Sequence, residues 1–337
     1  MPAKLLIVLL VALFGWGGAA FGDTLSDIRN RGAVTCGTSA QSPGFSAIQV
    51  DGNWVGLGAD YCRGLAAVIF NDPAKVEFTL LAPGDETAAL KSGRVDTLAD
   101  LLSWTLTDDT DQGLRFVATL FYDGQGFLAP KGSGLRTSRD LAGKGVCVED
   151  GSAAAANAAE YFDADNIAAR LERMPNREAA IAAYVSGGCI AYTDDSSVLA
   201  GIRASLPTPT DNVLLPDLIS KQPLAVVVRQ GDDRWFDVAR WTVYALLDAE
   251  ELSVTQGNVD EMLGSDNISV RRLLGVEGDF GAEIGLNKDW AYQLIKGVGN
   301  YADLFDRNVG DQSPLKLPRG LNALWSRGGI QYSPPVR

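Results

Sequence analysis

The feature that most constrains this chain is an alternation of short β-rich runs with helical patterns that runs through once and then starts again. Residues 33–36 (AVTC) read as a strand, 60–70 (DYCRGLAAVIF) as a helix with apolar residues three and four apart, 76–81 as a second strand, 86–92 as a second helix and 95–102 as a third strand. That order is βαβαβ, which implies a parallel sheet with right-handed crossovers. The order resumes with a strand at 145–148, an alanine-rich helix at 152–162, a helix at 176–185 and a strand at 189–192, followed by a polar turn at 193–196. Two similar α/β lobes are therefore expected.

Two extended stretches, 124–131 and 220–230, can each cross between the lobes. A chain that leaves a lobe and later returns makes a two-strand hinge, and hinged lobes can close on a solute. The expected division is lobe 1 from 23–125 and 230–337, lobe 2 from 131–220, and crossovers at 126–130 and 221–229. From Trp235 onward the pattern is helical, beginning with the amphipathic run WFDVARWTVYALLDAEEL. Trp290, Tyr292, Tyr301, Phe305 and Trp325 space out the last segment and are expected to pack a core.

The start of the chain bears on its compartment. A short basic beginning ending at Lys4, an apolar run over 5–16 and small residues at Ala20 and Gly22 predict a signal peptide over 1–22, cleaved before Asp23. The apolar run is too short to span a bilayer comfortably. An exported protein accommodates disulfides, and its four cysteines, Cys36, Cys62, Cys147 and Cys189, allow three pairings. The local one, 36–62 and 147–189, closes one loop in each lobe and is the one expected.

Composition removes several function classes. A net charge of −13 argues against a nucleic acid partner. The absence of histidine weakens serine and cysteine triads, His-ligated zinc and imidazole acid/base chemistry. There is no CxxC, and the DDTD of residues 108–111 lacks the glycine and spacing of a calcium loop. No metal and no cofactor are expected.

Several runs carry a specific resemblance: SPGFSA at 42–47, YDGQGF at 122–127, VRQGDDRWFDVARWTVYALLDAEEL at 228–252, EGDFG at 277–281, VGNYADLFDRNVG, and GLNALWSRGGIQYSPPVR at the end. With these the chain resembles the general L-amino-acid-binding periplasmic proteins of ABC importers over nearly its whole mature length, C-terminal extension included. The resemblance implies an α/β, two-lobed type II periplasmic-binding-protein fold with hinge strands and a helical C-terminal extension, and the local disulfide pairing. It also implies a periplasmic monomer that passes a small-molecule solute, an amino acid or an amine, to an inner-membrane ABC permease.

The family also implies a pocket. An arginine in the loop after the third strand forks onto the solute's α-carboxylate, an aspartate of lobe 2 takes the ammonium, and aromatic residues sandwich the side chain. Carried over, Phe45 matches the aromatic of the GF pair, Trp104 and Thr105 match the W-T step, with Ser103 beside them, Ser152 matches the first hydroxyl of the lobe-2 turn, and Asp195 matches the ammonium-binding aspartate. The bland alternative for Asp195 is a helix N-cap within TDDSS. The family's arginines match Asp100, Asp108 and commonly Glu86, so acids are expected to line the pocket where cations should stand.

Four readings follow. The pocket is recast for a cationic or neutral solute; or an amino acid is held by a cation placed elsewhere, with Arg115 offering partial compensation; or the shell serves as a sensor or scaffold; or the acids only decorate a solvated surface. An enzyme is a weaker alternative, since the fold resembles that of certain dehydratases and paired carboxylates can exchange protons when one pKa is raised.

Overall fold

The computed structural model describes residues 23–82, 84–110 and 113–337. The expected signal peptide and its cleavage point lie outside the described residues, as does Asp111 of the DDTD run. Among the described residues no helix is long and apolar enough to cross a membrane.

The first sheet has three parallel strands, Val76–Leu80, Val34–Thr38 and Thr97–Leu98, followed by antiparallel Gln222–Arg229, which pairs with both Leu102–Ser103 and the long Leu114–Asp123. The second sheet runs Arg170–Met174, Gly145–Glu149, Ala191–Asp195, Gln125–Pro130 and Asn212–Leu214. Its first three strands are parallel, and Gln125–Pro130 lies antiparallel to Ala191–Asp195 with Asp195 opposite Gln125. Each sheet therefore repeats one plan. The chain passes from the first sheet to the second between Asp123 and Gln125 and returns between Asn212–Leu214 and Gln222. At the crossing the Gln125 N–H donates to the Ser220 hydroxyl (2.9 Å) and the Ile219 N–H to the Gln125 carbonyl (2.8 Å), so the two strands are bonded side by side. Most of 126–130 and of 221–229 thus lies within sheet strands on either side of the change of lobe.

Three local expectations need correction. Residues 95–102 form two short strands rather than one, because the chain leaves the ladder where Asp100 turns inward to bond the Thr38 hydroxyl and the Ser39 N–H. Residues 193–195 are not a turn but the end of Ala191–Asp195, running directly into the helix Ser196–Ser205. The loop after Ser103 contains a helical turn, Leu106–Thr110. The strand Arg170–Met174 (RLERM) escapes sequence reading because it sits at a sheet edge and is half-exposed, so it carries no apolar run.

Helix Leu57–Phe70 and the long helix Asp233–Glu251 bury their apolar faces against the first sheet and the C-terminal helices, in the largest hydrophobic cluster. The N-cap of the long helix is Asp232, which accepts the Trp235 N–H (2.9 Å). Of the aromatic series, Trp290, Tyr301 and Phe305 are core residues, and the Tyr301 hydroxyl donates to the Leu120 carbonyl (2.8 Å). Trp325 is not core; it is 53% exposed and meets Tyr332 edge to face. The disulfides join Cys36 to Cys62 and Cys147 to Cys189, one in each lobe.

Candidate functional site

Between the lobes lie two adjoining cavities of about 520 and 530 Å³, both bordered by Ser103, Arg177, Asp195 and Gln222. Lobe 1 contributes Phe45, Leu101 and Ser103 to the first, and Thr105 to the second. Phe45 is held by an edge-to-face contact with Phe121, ring centres 5.0 Å apart. Ser103 accepts from the Gln222 amide (3.0 Å), which ties the lobe-1 loop to the returning hinge strand.

Lobe 2 contributes most of the charges, with Asp123 of lobe 1 at the first cavity and Lys221 of the returning crossover at the second. Ser152 caps the helix Ala153–Ala164: its hydroxyl accepts the Ala155 N–H (3.1 Å) and donates to the Glu149 carbonyl (2.7 Å). Asp195 stands at the start of Ser196–Ser205 but makes no side-chain capping bond. That role falls to Asp123 of the first sheet, which accepts the Ser197 hydroxyl (2.5 Å) and, more weakly, its N–H. The Asp195 carboxylate is left bordering both cavities, with no ion pair among the described residues. Burial, then the Asp123 and Asp194 charges, push its pKa up to about 6, against a smaller opposing pull from Gln222 and Arg177. Burial also raises the pKa of Asp123.

Lys221 borders the second cavity, and the cation common to both cavities, which the sequence did not reveal, is Arg177. It opens the helix Arg177–Val185, whose N-cap Asn176 accepts the Ala179 N–H (2.8 Å), and its Nε lies 3.1 Å from Asp194. Burial opposes its charge, but Asp194, Tyr192 and Glu149 outweigh that and hold its pKa above the ordinary value. A cation at a helix N-terminus is set against the macrodipole. That mismatch was the signal available in the sequence at Asn176-Arg177.

Phe45, Ser103, Thr105, Ser152 and Asp195 are thus brought together around the cleft. The remaining candidates do not border it. Asp100 is buried, accepting the Thr38 hydroxyl (3.0 Å) and the Ser39 N–H (2.5 Å). Asp108 is exposed and accepts the Thr105 hydroxyl (2.5 Å) while its own N–H donates back (3.2 Å), closing the turn Leu106–Thr110. Glu86 accepts the Gly84 N–H (2.8 Å) at its helix start. The Trp104 ring stacks on Phe116, ring centres 5.4 Å apart. Arg115 is engaged elsewhere, 2.5 Å from Asp233 and 3.8 Å above the centre of the Phe236 ring. Among the described residues there is no cluster of acids or cysteines able to hold a metal.

A cleft with hydroxyls, the cations Arg177 and Lys221 and several carboxylates, Asp195 among them without an ion pair, can hold a small polar solute by complementary charge and hydrogen bonds. Comparison with known proteins agrees. The chain is 45% identical over 321 residues to the general L-amino acid-binding periplasmic protein AapJ of Rhizobium johnstonii, covering 95% of this chain and 94% of that protein. It is 41% identical to the glutamate/glutamine/aspartate/asparagine-binding protein BztA of Rhodobacter capsulatus, over 95% of each. A solved periplasmic binding protein of an ABC transporter from Brucella ovis, with glutathione bound, superposes with a TM-score of 0.81 at 47% identity, covering 94% of this chain and all of that one. Residues 34–263 match the bacterial extracellular solute-binding proteins, family 3, and the chain, with its type II periplasmic-binding-protein fold, belongs to that family.

Proposed function

We propose that this solute-binding protein serves an amino-acid-type ABC importer and selects an ammonium-bearing solute of neutral or positive net charge. Asp195 carries the reading. Its carboxylate borders the cleft beside Asp123 with no cation paired to it, and burial of an unpaired carboxylate is unfavourable until an ammonium arrives. Lobe 1 offers Phe45 but no arginine to the first cavity, so a solute carboxylate would have to turn to Arg177 of lobe 2, whose charge Asp194 already shares, or to Lys221 at the second cavity, which Phe45 does not border. A zwitterion fits this balance and a cation fits it better; an anion fits it worst. The name of AapJ supports the amino acid class, and the Brucella ovis complex supports a solute larger than a single amino acid.

In this reading the protein acts in the periplasm as a monomer, after loss of residues 1–22, and hands its solute to an inner-membrane permease unchanged. A thermal-shift screen followed by titration calorimetry tests it, using neutral, basic and acidic amino acids, polyamines and glutathione. A ligand at 100 times its dissociation constant stabilises by about 2.7 kcal/mol, a readily visible shift. Neutral or basic ammonium compounds are expected to bind, and Asp195→Asn to abolish their binding. Tighter binding of glutamate or glutathione than of any neutral or basic solute overturns the charge assignment.

A further inference from the structure

Gly201 lies within the helix Ser196–Ser205 of lobe 2, where a glycine weakens the helix relative to alanine. Its backbone does not require glycine, since it is absent from the positions of positive φ. Nor does packing. A Cβ built at Gly201 meets no atom within 4 Å, whereas at the helical glycines Gly58 and Gly64 it would fall 1.8 Å from the Ala99 carbonyl oxygen and 2.8 Å from Leu294. Those two glycines permit close approach; Gly201 faces open space.

The open space has two sides. With Pro43 and Ser205, Gly201 borders the first cleft cavity, and the same three residues border a further chamber of about 550 Å³. Ala47, Val55, Ala204 and Leu315 form apolar parts of its wall. Its one carboxylate, Asp60, already accepts from the guanidinium groups of Arg63 and Arg307 and from the Asn308 amide, so it is engaged and is not left to attract a solute ammonium. The C-terminal extension lines one side of the chamber, which is open to solvent on another, and Arg203 donates to the Leu315 carbonyl, holding the lobe-2 helix against that extension.

We propose that Gly201 keeps open a passage from the cleft into this chamber, and that the chamber receives the uncharged, mainly apolar far end of an elongated, peptide-like solute. The inference rests on the cleft reading given above, in which the solute's ammonium end meets Asp195. It makes Gly201 a specificity-determining residue and the C-terminal extension part of the binding wall. A bulky side chain at 201 fits the helical backbone and projects into the passage, so it should exclude long solutes while sparing short ones.

The test is titration calorimetry on the full mature protein and its Gly201→Ala and Gly201→Phe variants, with alanine, Ala–Leu and Ala–Ala–Leu, each as free acid and C-terminal amide. Wild type is expected to bind the longer compounds at least tenfold more tightly than alanine. Gly201→Phe should lose that advantage, its affinity for Ala–Ala–Leu falling at least tenfold more than its affinity for alanine. Gly201→Ala should melt at the same or a higher temperature, and comparing it with the melting temperature of Gly201→Phe separates blockage from misfolding. Equal effects of Gly201→Phe on short and long compounds, or no preference for length in wild type, overturn the inference and leave the cleft reading standing. Loss of binding in Asp195→Asn, measured in parallel, reports on the cleft reading itself; absence of binding by every compound overturns both.

Discussion

The carboxylate of Asp100 accepts the backbone N–H of Ser39 at 2.5 Å, across 61 residues of sequence, and the neighbouring Thr38 hydroxyl at 3.0 Å. The pair fixes the turn that leads from the first strand toward Phe45. Asp100→Asn should keep the volume but lose the charge-assisted bond, lowering stability by about 1–3 kcal/mol. Asp100→Arg should lower it further, because a buried guanidinium would meet a backbone donor. Urea denaturation of the variants checks this, and a gain of stability by Asp100→Arg would contradict it.

Asp195 predicts a pH dependence of opposite sign to that of an ion-paired acid. Its folded-state pKa of about 6 lies above the ordinary 3.8, so the folded protein holds the proton more tightly, and the ionised group opposes folding once pH exceeds that window. At pH 7 Asp195→Asn should therefore stabilise the solute-free protein by about 1–2 kcal/mol after allowance for solvent screening, while removing solute binding. The difference should shrink as pH falls through about 6 and vanish below about 4. Melting temperatures of both forms across this range decide the point. Asp248, also raised to about 6 by burial, gives a slope of the same sign in both forms and cancels in the comparison.

The C-terminal extension is tied to the long helix by Arg319, whose guanidinium lies 2.9 Å from Glu250 and 4.8 Å from the centre of the Phe305 ring. Glu250 is nearly buried, so Arg319→Ala leaves an under-compensated charge and should lower stability by about 2–4 kcal/mol. Arg319→Lys should rescue only part of this, since an ammonium reproduces neither the fork nor the stacking. Calorimetric melting of both variants is the check.

The two disulfides span 26 and 42 residues. Closing loops of that size restricts the unfolded chain by about 3–4 kcal/mol each in the chain-entropy model. Cys147→Ser with Cys189→Ser should therefore lower the melting temperature by several degrees while preserving the first lobe's bridge. Non-reducing peptide mapping should recover 36–62 intact, and any bridge between the lobes would overturn the assignment.

Periodicity and spacing are local properties, and they were enough to place most of the alternating strands and helices of both lobes and the cysteine pairs, but not the edge strand Arg170–Met174 or the end of the strand that carries Asp195. The direction in which a side chain points is set by partners far away in sequence. Asp100 and Asp108 read as cleft acids because their neighbours in sequence resembled a ligand loop; Ser39 draws one inward and Thr105 folds the other into a turn, so neither borders the cleft. Arg177 enters the site only because the register of Ala191–Asp195 against Gln125–Pro130 brings Asp194 and Asp195 to the same end of the sheet as its helix. The freedom of the Asp195 carboxylate was likewise decided in three dimensions, when Asp123 from the other lobe took the capping role that its own position suggested. A sequence specifies which groups are available within a few turns of chain, whereas the electrostatic balance of a cleft between two lobes depends on long-range pairing that the folded structure alone sets.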